Sequence, residues 1–166
     1  MRDKKWVLEH RGGTLKIEQQ KLLMKWSIDC LEHLLPLLNN NINENINNAI
    51  NIGKNWINGE ASTGNAINIS REIIKYIKTL NNELEILMTR AAGHAFATAH
   101  MVDHSMGPIY YWLKAIKFVG GTIDSELKWQ IDQIPEEIKE LVINGLKNKG
   151  IIKEESVEWK IIQKKN

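Results

Sequence analysis

The stretch Arg90-Ala91-Ala92-Gly93-His94-Ala95-Phe96-Ala97-Thr98-Ala99-His100-Met101 decides the fold. Nearly every residue in it is small or apolar, and a helix without a polar face belongs inside a bundle rather than on its surface. The pattern predicts a buried central helix over residues 84 to about 101, with alanines and a glycine that let neighbouring helices approach closely. Asp103-His104-Ser105 reads as a break. Helical spacing resumes over residues 106–119, with Pro108 tolerable in a first turn and Gly120-Gly121 as the stop.

Working outward, residues 63 to about 80 carry Ala66, Ile69, Ser70, Ile73, Ile74 and Ile77 on one stripe, with Thr63 as the expected N-cap. Residues 45–57 place Ile46, Ala49, Ile50, Gly53, Trp56 and Ile57 on one face, Gly59 following as a stop and Gly53 allowing a close contact. A helix over residues 17–35 carries Leu23, Trp26, Cys30 and Leu34, continued by Leu37, at spacings of three and four, and Pro36 discourages continuation. Two short amphipathic helices, 124–131 and 136–147, divide at Pro135. The expectation is an all-α single domain over residues 1–166, with six to seven helices packed around the central one. Residues 1–15 form an arm that turns at Arg11-Gly12-Gly13-Thr14, residues 16–147 the helical core, and residues 148–166 a tail. That tail is either irregular or a short β-hairpin, because residues 157–161 alternate like a strand.

Composition narrows the classes. With 166 residues, 43% hydrophobic and 25% charged, the chain has what one ordinary core requires. A net charge of +2 gives no electrostatic reason to expect nucleic acid as a partner. No apolar run approaches the ~20 residues of a membrane span, and the charged start from Arg2 to Arg11 leaves no room for a signal-peptide apolar region. A single cysteine, Cys30, rules out an intrachain disulfide. The expected compartment is the cytoplasm.

Three of the five histidines, His94, His100 and His104, fall close together in the sequence. On an unbroken helix His100 and His104 would share a face and could chelate one ion, with Asp103 as a third ligand or an orienting group. His94 would then stand ~15 Å from His104 along the axis and need another partner. Arg90, one turn before it, would favour a neutral imidazole, and a neutral histidine hydrogen-bonded between helices is the plainer expectation. A second set lies in Asp29-Cys30-Leu31-Glu32-His33. Cys30 and His33, together with His100 and His104, would complete a closed Cys/His₃ zinc site. Cys30 also lies on the apolar stripe of its helix, where a core thiol is inert.

Common catalytic signatures are absent: no His-Glu-x-x-His, no Gly-x-Ser-x-Gly, no phosphate-cradling glycine loop before a lysine, no Cys-x-x-Cys. The paired acids Glu136-Glu137 and Glu154-Glu155 read as solvated faces. Six tryptophans spread along the chain read as core anchors, with Trp6, Trp129 and Trp159 the candidates for a binding surface.

Taken in order, residues 26–37 (WSIDCLEHLLPL), residues 49–60 ending Trp56-Ile57-Asn58-Gly59-Glu60, and residues 90–101 resemble the immunity-five-like family of bacterial immunity proteins. The similarity runs from about residue 12 to residue 141. The resemblance implies a small helical protein of the cytoplasm that binds and neutralises a cognate toxin, or protects the toxin's target. It brings no catalytic set. The positions matching the motif are Cys30, Glu32, His33, Arg90, His94, Ala99, His100 and His104, as fold-defining or as functional residues. The chain departs from the family by using Asn and Ile where Ala-rich helices are the rule. Two other readings stand beside it: a zinc-binding protein or metal-dependent enzyme using the His/Cys cluster, and a structural module that forms a homo-oligomer.

Overall fold

The computed structural model describes residues 3–38 and 44–152. Among these, seven helices pack together and no strand forms. They are α1 (Ile17–Leu34), α2 (Glu44–Asn58), α3 (Thr63–Ile77), α4 (Glu83–Ala97), α5 (Gly107–Phe118), α6 (Ile123–Asp132) and α7 (Glu136–Asn148).

Helix ends follow local chemistry at most boundaries. Gln19 folds back so that its Oε1 accepts the Lys16 N–H at 3.0 Å, capping α1. Asn82 Oδ1 accepts the Glu85 N–H at 3.0 Å at the start of α4, and Ser62 Oγ accepts the Asn65 N–H at 3.1 Å at the start of α3. Ser62 is therefore the cap where Thr63 was expected, and α3 ends at Ile77 rather than near residue 80. Pro36 stands in a 3-10 turn, Leu35–Leu38, that closes α1 as its missing N–H requires.

Helix α4 occupies the centre. Met88, Ala91, Ala92, Ala95 and Phe96 are fully buried, and the helix packs along α3 and α5 while touching α1 and α2. Gly53 on α2 supplies the close approach its position predicted: a Cβ there would stand 2.8 Å from Ile28 Cδ1 and 3.0 Å from the Phe96 ring. Trp26 and Trp112 are fully enclosed, each contributing the large apolar area that makes aromatic side chains dominate a core. The α1–α6 seam is tied by Trp26 Nε1–H, which donates to the Gln130 carbonyl at 2.8 Å.

The arm has no helical period because it is a hook. After two 3-10 turns, Lys4–Trp6 and Glu9–Arg11, the chain doubles back to form a single bridge between Leu8 and Leu15, and Trp6, Leu8 and Leu15 are buried in the common core. Trp6 is thus an anchor rather than an exposed contact. Residues 153–166, including Trp159 and the alternating stretch expected to form a strand, lie outside the described residues.

Candidate functional site

The central helix stops at Ala97, four residues short of where its composition would carry it. The reason is tertiary. Gln20, buried on α1, donates from Nε2 to the carbonyls of Thr98 at 2.7 Å and Ala99 at 3.0 Å, and Arg11 Nη1 donates to the His100 carbonyl at 3.1 Å. These donors take carbonyls that a continuing helix would have used, so the chain tightens through short turns and becomes extended at Met101, with φ −135°. A 3-10 turn, Val102–Met106, then leads into α5. The result is an elbow between α4 and α5.

The elbow reverses the expectation for the histidines. His94 does not stand ~15 Å from His104; its Nδ1 lies 3.1 Å from His104 Nδ1, one ring donating and the other accepting. The ring centroids are 5.1 Å apart, and His100 lies 5.9 Å from His104 despite the broken helix. On its other side His94 stacks on Tyr111 of α5 at 5.4 Å, and the Arg90 guanidinium lies 6.0 Å from the centre of the Tyr111 ring. Gly107 makes the fit possible, because a Cβ there would fall 2.6 Å from His94 Cγ and Nδ1. Asp103 sits half-buried on the same turn, and Ala99 is buried just ahead of it.

Burial lowers the His94 pKa from 6.5 to about 4, with His104 and then Lys149 adding to the effect. Burial likewise lowers His100, followed by the charges of His104, Arg71 and Arg11. His94 is neutral near pH 7, as its sequence position suggested, but enclosure and not Arg90 is the main cause. His100 Nδ1 is buried and has no hydrogen-bond partner among the described residues.

The other predicted residues form a separate corner between α1 and α6. His33 stacks on Trp129 with centroids 3.6 Å apart, and its Nε2 lies 3.4 Å from Glu126 Oε2. Gln130 Nε2 donates to Glu126 Oε1 at 2.6 Å. Cys30 is wholly buried; burial first, then Glu126 and Asp29, pushes its thiol well above the ordinary range and keeps it protonated. Glu32 reaches across to α2, with Lys54 Nζ 2.7 Å from its Oε1. Cys30, His33, His100 and His104 are therefore not gathered into the zinc tetrahedron the sequence suggested. Among the described residues no set of three or more His, Cys, Asp or Glu side chains is placed to hold a metal ion.

Sequence reading missed Gln20, Arg11, Arg71, Gly107, Tyr111 and Lys149 at the elbow. Gly107 ahead of Pro108, with two tyrosines behind them, was a local sign of a tight corner. Gln20 left none. A cleft of about 460 Å³ opens elsewhere, between the arm and α7, and contains no histidine. No helix among the described residues is long and apolar enough to cross a membrane.

A family model described as "Imm-5 like putative immunity protein" matches residues 13–137, about three quarters of the chain. Comparison with curated proteins and with solved structures gives no match.

Proposed function

The chain belongs to the Imm-5 like immunity family, and on that footing we propose that it binds a cognate bacterial toxin and blocks its action in the cytoplasm of the cell that makes both. The observation that carries this reading is the match over residues 13–137, which takes in α1 to α6, the start of α7 and the whole elbow. Neutralisation by binding needs a stable surface rather than a reactive group. The absence of common catalytic motifs from the sequence is consistent with that mode of action.

Co-expression with the toxin encoded by the neighbouring gene tests the reading. Growth should be rescued, and the two proteins should co-purify as a stoichiometric complex. Neither rescue nor complex would overturn it.

A further inference from the structure

Carboxylates are scarce in the stretch of chain that forms the elbow. Between Glu85 and Asp124 the sequence holds one, Asp103, which lies on the elbow itself. Cations from separate elements come to the elbow: Arg11 of the arm, whose Nη1 donates to the His100 carbonyl at 3.1 Å, Arg90 of α4, 6.0 Å from the Tyr111 ring centre, Arg71 of α3 and Lys149 at the end of α7. Arg11 and Arg71 stand close enough to His100, and Lys149 close enough to His94, to oppose their protonation. None of these cations forms an ion pair with a carboxylate among the described residues. Lys25, Lys54, Lys128 and Lys139, by contrast, each have one, in Asp29, Glu32, Asp132 and Glu136. Ion pairs thus occur on α1, α2, α6 and α7, while the four cations around the elbow come together without a carboxylate partner among the described residues.

The surroundings are not purely ionic. Tyr110 is 41% exposed with Lys114 Nζ 4.6 Å from its ring centre, and Tyr111 lies beneath Arg90. Ile74, 53% exposed, rests over Gly93, next to His94. Arginine, tyrosine and an exposed aliphatic around a concentrated charge make the composition of a protein–protein interface centre. Nucleic acid would call for an extended basic stripe, and the chain's net charge of only +2 does not suggest one.

We propose that the elbow is the face on which the toxin docks, through a group of Asp or Glu side chains received by Arg11, Arg71, Arg90 and Lys149. This rests on the immunity reading above. The half-buried imidazoles of His94, His100 and His104 add hydrogen-bonding edges beside the cations. Closing the interface removes water, which strengthens each charge pair.

The test is calorimetric titration of the intact chain with an inactivated form of the toxin from the neighbouring gene. Arg71→Glu, Arg90→Glu and Lys149→Glu are compared with Lys128→Glu, an equal charge change on α6, and thermal melts check that each variant is folded. Each elbow reversal should weaken binding by about tenfold or more, Arg90→Lys should restore most of the affinity, and wild-type affinity should fall as salt rises. Tight wild-type binding with elbow reversals no worse than Lys128→Glu would overturn the docking face and leave the immunity reading standing. No binding by the wild-type chain would overturn both.

Discussion

Histidine occurs at two places in this fold in opposite electrostatic company. At the α1–α6 corner His33 has a carboxylate, Glu126, at 3.4 Å and a tryptophan face at 3.6 Å, and Gln130 holds the carboxylate from behind. At the elbow His94, His100 and His104 have one another, with Arg11, Arg71, Arg90 and Lys149 near them. At the corner the buried carboxylate of Glu126 finds partners for both of its oxygens within the chain. At the elbow the cations have no carboxylate ion pair among the described residues. A site that answers its own chemistry has a structural role, whereas one that leaves chemistry unanswered is where a partner contributes.

That contrast predicts its largest effect at the corner. Trp26 is wholly buried and its indole N–H is bonded to the Gln130 carbonyl across the seam. Trp26→Ala should cost about 3–5 kcal/mol of stability, read from urea unfolding. A loss below about 1 kcal/mol would mean that the α1–α6 seam does not hold the corner together.

A smaller effect is expected at the elbow from Gly107→Ala. The added methyl falls 2.6 Å from the His94 ring, so the ring must shift and its 3.1 Å contact with His104 must change. Such overpacking costs about 1–3 kcal/mol. The imidazole resonances of His94 and His104 should shift together in an NMR spectrum while that of His33 stays in place. Movement of all three would show that corner and elbow are one coupled unit.

The reach of sequence reading follows the same division. The central helix was legible because its signal is local: a run of small and apolar residues has no other place to go. Gly59, Pro135 and Gly120-Gly121 mark ends that the neighbouring residues themselves impose. The end of α4 is imposed by Gln20 and Arg11, 78 and 89 positions from the carbonyls they hold, and no pattern within residues 90–104 records that. The histidine pair was unreadable for that reason, and so was the ring of cations, which assembles from elements far apart in the chain. At the corner, Cys30 showed its burial through its place on the apolar stripe, but Glu126 and Trp129 come from α6 and were not anticipated as partners of His33.

Acid should separate the two sites further. The unfolded chain protonates His94 near 6.5, whereas the folded chain holds it neutral down to about 4. Above pH 6.5 neither state takes the proton and stability is unaffected. Between 6.5 and about 4 the unfolded state binds protons that the folded state refuses, so stability falls as pH falls and levels off below that window. His100 contributes in the same direction. The ring is partly open to solvent, so screening keeps the effect below that of the packing changes. Urea midpoints from pH 7 to 4.5 should decline less steeply for His94→Gln than for the wild type, which removes the shared carboxylate background. Identical slopes would mean that His94 titrates alike in both states.

The smallest effect belongs to Glu32, one of the motif-matching positions. Its bridge to Lys54 joins α1 to α2 between side chains 39% and 48% exposed, where water and salt weaken the pairing. Glu32→Gln should change stability by no more than about 1 kcal/mol. It should also leave protection against the toxin intact, because the charge it answers is already inside the chain. Loss of protection by Glu32→Gln in a growth assay, with Arg90→Glu still protecting, would invert the comparison: the α1–α2 face around Glu32 would be the docking face and the elbow only a tight turn with its histidines packed in. Protection retained by Glu32→Gln and lost in Arg90→Glu would assign the motif's two halves to different tasks, α1 to holding the bundle and the end of α4 to meeting the partner.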